Sequence, residues 1–271
     1  MRIGNRVFDT RHHTYGMGIL NVTPDSFSDG GKWNRLDAAL SHVEQMIAEG
    51  ADIIDVGGES TRPGYTVISD EEEIERTVPV VEAIRARFDI PVSIDTYKSR
   101  VAEANLTAGA HLVNDIWGLK ADPDMASVIA KHGAACCLMH NRREEEYRDF
   151  FADMKAHLAE SIALARVSGI RKDGIMVDPG VGFGKTYEHN LEVIRRVGEF
   201  KDLGYPVLLG TSRKSVIGLT LDIPAEERVI GTAVTTVYAV QQGCGFVRVH
   251  DVRENVQAIR MTEAIQGVIG A

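Results

Sequence analysis

The sequence is short of positive charge. Its 271 residues hold 30 Lys and Arg against 39 Asp and Glu, a formal net charge of -9. Binding to a phosphate backbone normally shows as an excess of Lys and Arg, so nucleic acid is excluded as the main partner. Cysteine is scarce too: Cys136, Cys137 and Cys244 are odd in number, with two of them adjacent, and make no disulfide framework. No metal-ligand spacing involves them. Cys136 and Cys137 fall in the apolar run 134–139 and read as small buried hydrophobes, which suits a reduced, cytoplasmic compartment. No apolar run approaches the ~20 residues that span a bilayer, so no membrane partner is expected. Residues 1–14 are polar and lack the apolar centre of a secretory signal. No linker rich in Pro or Ser divides the chain, which points to one domain.

What is present is ordinary in amount and regular in order. Apolar residues make up 44% and charged residues 25%, enough to bury a core. Short apolar runs cover 16–20, 52–56, 91–94, 111–113, 134–139, 174–177, 206–209 and 245–249. They show little alternation, as strands buried on both faces do in a parallel sheet. Amphipathic segments lie between them near 36–49, 70–87, 98–108, 122–132, 149–168, 187–202, 224–241 and 252–267. Several end in Gly (Gly50, Gly109, Gly133, Gly204, Gly243), the common helix stop. Eight strand–helix units of about 34 residues each favour a single closed (β/α)8 TIM barrel over residues 15–271. Residues 1–14 fall outside the repeat and suit an N-terminal arm or hairpin across the barrel bottom.

A barrel of this kind carries its site at the C-terminal ends of its strands. The runs end in order on Asn21, Asp55, Asp95, Asn114, His140, Asp178, the turn 210–213 and His250. Any one of these could merely cap the next helix; as a set they converge on one rim. The acidic chain also gathers Arg62, Arg213, Lys214, Arg248 and His250 there. Arg248 and His250 are two apart and point the same way along a strand. Such a pair calls either for an anion or for a structural ion pair, for instance with Asp251 or a neighbouring strand. A phosphate site near the last two strands is common in such barrels. Asp95, Asn114 and Asp178 form an acceptor-rich wall suited to a flat heterocycle with several N–H donors. The implied substrate carries an N–H-rich ring at one end and phosphate at the other. Ser212 and Ser215 have no evident base partner, which disfavours a nucleophilic serine. His140 reads as a supporting residue, and 71–73 as acids that favour a helix dipole.

The motifs NVTPDSFSDGG (21–31), DVGGESTRPG (55–64), SIDTY (93–97), Asn114–Asp115, LMHN (138–141), DPGVGFGK (178–185), TSRKS (211–215) and RVHD (248–251) together resemble the dihydropteroate synthase family. The likeness runs in order from about residue 16 to the end, one motif per strand. It departs mildly at Val181, where bulkier residues are common. The resemblance implies condensation of 6-hydroxymethyl-7,8-dihydropterin diphosphate with p-aminobenzoate, giving 7,8-dihydropteroate and diphosphate, in folate biosynthesis. It also implies Mg2+ carried with the diphosphate, a homodimer and inhibition by sulfonamides.

Residue by residue, the resemblance assigns pterin binding to Asp95, Asn114, Met139, Asp178, Lys214 and Arg248. It gives diphosphate binding to Asn21, Arg248 and His250, and Mg2+ to Asn21 and Asp29. The p-aminobenzoate site would comprise Phe27, Thr61, Arg62, Pro63, Phe183, Lys214 and Ser215 once the first two loops close. Asp95, Lys214, Arg248 and His250 are the catalytic set. Other readings remain: a methyltetrahydrofolate methyltransferase-type barrel, a catalytically silent pterin-binding paralogue, and a phosphate-binding barrel isomerase. The first would not need the diphosphate pair Arg248 and His250. The second would show lost loop residues, and none is missing. The third would want a Lys or Glu base at a strand end, and none stands out.

Overall fold

The computed structural model describes residues 1–23, 32–59 and 67–268, with side chains of the first helix from residue 36 onward. Phe27, Asp29, Thr61, Arg62 and Pro63, and the expected closure of the first two loops, lie outside the described residues. The chain opens with a short antiparallel hairpin of β1 (Arg2–Ile3) and β2 (Arg6–Val7). Eight parallel strands follow: β3 (Tyr15–Asn21), β4 (Ile53–Gly57), β5 (Val92–Asp95), β6 (Leu112–Asp115), β7 (Ala135–Met139), β8 (Ile175–Asp178), β9 (Leu208–Leu209) and β10 (Phe246–Val249). Their order in the sheet is β8-β7-β6-β5-β4-β3-β10-β9, and a parallel bridge from Val177 to Val207 closes the ring. The fold is a (β/α)8 barrel.

Two apolar layers hold it. Between strands and helices lies a core that includes Val56, Ile94, Val113, Leu138, Val177 and Val247, packed against Val81, Ile84, Leu158 and Val193 from the helices. The second cluster fills the barrel interior at the N-terminal ends of the strands, with Met17, Ile53, Leu112, Cys137, Met176, Leu208 and Phe246. Ile3 and Phe8, from the hairpin and the residue after it, join that cluster and close the barrel bottom. This apolar plug leaves the opposite end of the interior to polar side chains. The three cysteines are buried and unpaired, and burial pushes their thiols up.

The helices are α1 (Lys32–Glu49), α2 (Asp70–Arg87), α3 (Ser99–Thr107), α4 (Met125–His132), α5 (Phe150–Val167), α6 (Tyr187–Arg195), α7 (Ser215–Leu221), α8 (Val229–Gln241) and α9 (Val252–Ile265). The five glycines read as helix stops all hold positive φ, between 61° at Gly133 and 108° at Gly109. Helix α7 is a difference from the sequence reading, which has no helix between the 211–215 turn and residue 224. Its seven residues are about two turns, too few for a 3.6-residue period to show. No helix among the described residues is long and apolar enough to cross a membrane.

Candidate active site

Because the barrel strands run parallel, their last residues meet at one mouth. Asn21, Asp95, Met139 and Asp178 each end a strand, while Asn114 and Arg248 stand one residue earlier in theirs. Register brings them side by side: Asp95 pairs with Asn114 and with Gly57, and Met139 with Asp178. Lys214 stands just before α7, and its Nζ lies 4.8 Å from the centre of the Phe183 ring and bonds the Val181 carbonyl. Ser215 is exposed as the first residue of α7.

Arg248 organises the mouth. Its Nε donates to Asp55 Oδ2 at 2.5 Å and its Nη2 to Asp95 Oδ2 at 2.7 Å. The partner on offer in the sequence was Asp251 or a neighbouring strand; the structure uses β4 and β5, across the barrel. Asp251 instead pairs with Arg213, at 2.6 and 3.0 Å, which takes Arg213 out of the set of cations facing the mouth. Asp55 is likewise displaced from its reading as a strand end. β4 continues to Gly57, and Asp55 is fully buried within the strand. Its Oδ1 and the Oδ1 of Asp95 are buried without a hydrogen-bond partner. A buried acceptor left unpaired costs about 1–3 kcal/mol, so these carboxylates do not serve stability.

Electrostatics follow from burial. Desolvation raises Asp95 to about 7, with Asp55 adding to the rise and Arg248 opposing it. Asp178 is raised by burial as well, against the pull of Lys214. Lys214 is lowered to about 8 by desolvation, with Asp178 opposing and Arg248 adding to the fall. Acceptors and cations thus alternate around one desolvated mouth, an arrangement suited to a ring with N–H donors next to an anion.

The loop after β8 is built to a tight shape. Asp178 Oδ1 accepts from the Gly180 N–H at 2.7 Å. Gly180 has φ +69°, and a Cβ there would sit 2.0 Å from the His140 carbonyl oxygen, so no other residue fits. Lys185 is buried inside the loop, where its Nζ bonds the Gly180 carbonyl at 2.9 Å, the Phe183 carbonyl at 3.0 Å and His140 Nδ1 at 2.9 Å. His140 therefore supports the loop. On the other side, Ser212 has a histidine partner after all: its Oγ lies 3.0 Å from His250 Nδ1 and accepts from the His250 N–H at 3.1 Å. The two residues are 38 apart in the chain, and adjacent β9 and β10 bring them together. The contact orients the imidazole. A separate cleft of about 650 Å³ lies between the β7 loop and α5, lined by His140, Arg142, Tyr147 and His157 among others, and no residue of β5, β6, β8 or β10 reaches it.

A family model described as pterin binding enzyme matches residues 17–250. The dihydropteroate synthase of Clostridium beijerinckii is 58% identical over 98% of this chain and 99% of its own length. The chain belongs to the dihydropteroate synthase family. A crystal structure of the family member from Clostridium difficile, in the presence of pteroic acid, superposes with a TM-score of 0.93 at 53% identity, covering 96% of this chain and 99% of that one. One from Xanthomonas albilineans with 4-aminobenzoic acid gives 0.90 at 40% identity, covering 95% and 94%. These matches give no support to a methyltransferase-type barrel. For a dihydropteroate synthase family member, Val181 is a small departure, and its side chain belongs to the apolar core while its carbonyl takes Lys214.

The structure gathers Asn21, Asp95, Asn114, Met139, Asp178, Phe183, Lys214, Arg248 and His250 at or beside the mouth. Sequence reasoning missed the parts of Asp55, Lys185 and Ser212. The available signals were an Asp inside an apolar run (IIDVG) and a Lys closing a Gly-rich loop (GFGK). It also missed a buried cluster in the segments that follow β4 and β5. Lys98 Nζ bonds Glu59 Oε2, Glu73 Oε2 and the Ile68 carbonyl, each at 2.8 Å. Glu73, read as an acid favouring a helix dipole, is buried in that cluster.

Proposed function

We propose that this chain condenses 6-hydroxymethyl-7,8-dihydropterin diphosphate with p-aminobenzoate to 7,8-dihydropteroate and diphosphate. The observation that carries the reading is the meeting of Asp95, Asn114 and Asp178 with Arg248 and His250 at one barrel mouth. Asp178, Asn114 and Asp95 accept from the N–H groups of the pterin edge. Lys214 donates to its carbonyl oxygen, Met139 lies below the ring and Arg248 against its face. Asn21, Arg248 and His250 take the diphosphate, while Phe183, Lys214 and Ser215 line the approach of p-aminobenzoate.

The step is a dissociative substitution. The bond from the pterin methylene carbon to the diphosphate oxygen breaks, and its electron pair leaves with diphosphate. Arg248 and His250 offset the charge growing on that oxygen. The carbon is left as a cation delocalised into the pterin, faced by the Asp95 carboxylate. The aniline nitrogen then forms the new C–N bond and loses its proton to solvent. No covalent link to the protein is needed. Ser212 is engaged with His250, whose imidazole it orients.

Mg2+ bound with the diphosphate would neutralise part of the leaving group's charge. Among the described residues no group of three or more His, Cys, Asp or Glu could hold an ion. Asn21, half-buried at the end of β3, is the described oxygen donor for it. Asn21, with Asp29 from outside the described residues, would suit an ion that keeps phosphate oxygens and waters as its other ligands, the usual habit of Mg2+.

The decisive measurement is diphosphate release by the purified protein. Release that requires both the pterin diphosphate and p-aminobenzoate is expected, with sulfonamides competing against the latter. Release that ignores p-aminobenzoate would overturn the reading. We also propose a homodimer and a cytoplasmic location, the latter in keeping with the unpaired cysteines. Support for the dimer comes from exposed apolar side chains on neighbouring helices: Leu219 on α7, Ile230, Val234 and Tyr238 at i, i+4, i+8 on α8, and Met261 and Ile265 on α9. Sedimentation of Ile230→Glu should give a monomer where the parent gives a dimer; an unchanged parent-like profile would place the interface elsewhere.

A further inference from the structure

Asp55 has no part in the reaction as derived so far, yet it touches two side chains that do. Its Oδ2 accepts from Asn114 Nδ2 at 3.2 Å and from Arg248 Nε at 2.5 Å. It is fully buried, and with Oδ1 buried and unpartnered it meets neither solvent nor another donor. A carboxylate paired with a guanidinium is an acceptor only. It therefore decides which end of the Asn114 amide faces it: the NH2 turns toward Asp55, and the carbonyl oxygen faces away. Through the same oxygen it takes Arg248 by Nε, which leaves the outer guanidinium N–H groups for Asp95 and for a ligand.

We infer that Asp55 is the positioning residue that sets the hydrogen-bond polarity of the pterin wall, turning Asn114 to present an acceptor and holding Arg248 by its inner nitrogen. The inference rests on the proposed pterin-binding reading. It explains why a buried carboxylate with an unpaired oxygen stands in an otherwise apolar strand. An amide at position 55 has the same shape but both a donor and an acceptor, so Asn114 could settle either way round. A reversed Asn114 presents N–H to the N–H donors of the pterin, which weakens binding rather than folding.

The test is Asp55→Asn, measured by the steady-state kinetics of diphosphate release and by calorimetric binding of 6-hydroxymethylpterin, which carries no diphosphate. Pterin affinity and the KM for the pterin diphosphate should worsen about 10–100-fold, the effect of facing a polar group with the wrong partner. The KM for p-aminobenzoate should stay within about twofold. The swapped variant Asp55→Asn with Asn114→Asp restores a donor–acceptor pair and again turns an acceptor toward the mouth, so it should recover part of the pterin affinity. Unchanged pterin binding in Asp55→Asn, or a swap with no recovery, would refute the role. The parent protein serves as control. If it binds no pterin, the functional reading fails; if it binds and the variant binds equally, only the role of Asp55 fails.

Discussion

Asp95→Asn lowers turnover on the order of 10²–10³-fold at saturating substrates, the size of losing one preorganised electrostatic group at a developing charge. The amide keeps the volume and a hydrogen bond to Arg248 but cannot face a carbocation with negative charge. Steady-state diphosphate release measures the loss, and near-parental turnover would remove Asp95 from the role of charge stabiliser. The pH dependence adds a second readout. Burial raises Asp95 to about 7, so it loses its charge as pH falls through that value. In the parent, kcat/KM for the pterin diphosphate should drop along that acid limb, and the variant should lack it. Stability moves the opposite way. The folded chain holds the Asp95 proton more tightly than the unfolded chain does, with its ordinary value of 3.8. Stability therefore falls as pH rises from near 4 to about 7. Asp95→Asn escapes that loss, and its Tm above pH 7 should exceed the parent's.

Lys98→Met has the largest expected effect on stability. It strips the ammonium from between Glu59 and Glu73, both buried, and leaves their carboxylates facing each other. Breaking a buried ion pair by removing one partner costs about 3–5 kcal/mol. At roughly 2–4 °C per kcal/mol for a chain of this size, Tm should fall by roughly 10 °C. The loss should shrink toward acid pH, where the stranded carboxylates can take up protons. Urea unfolding at two pH values measures both. A change under about 1 kcal/mol would mean that water already solvates the cluster. Adding Glu59→Gln and Glu73→Gln to Lys98→Met should restore much of the deficit. The cluster matters to the site because Lys98 lies three residues beyond Asp95, and Glu59 two beyond Gly57, where β4 and β5 end.

Much of this was legible along the chain. The apolar runs mark all eight barrel strands to within two residues, since a strand covered on both faces must be apolar almost throughout. The exception inside such a run, Asp55, carried information that strand-end reasoning discarded. Asn21, Asp95 and Asp178 end their strands where the reading put them, and Asn114 stands one residue before the end of β6, because parallel strands must send equivalent ends to the same rim. Arg213 and Arg248 show the limit. Both were legible as cations near the mouth, yet one is spent on Asp251 and the other spans β10 to β4 and β5. Ser212 looked unpartnered for the same reason: its histidine is a neighbour in space and not in the chain.

The sequence by itself determined the barrel and the residue types at its mouth. Burial, helix stops and strand order are local demands, met within some 34 residues at a time. Only the tertiary structure decided which charges pair. Arg248 and Asp55 are 193 residues apart, Arg248 and Asp95 153. No local pattern encodes such partners; closure of the ring chooses them, and in a desolvated interior a carboxylate and a guanidinium within reach must meet.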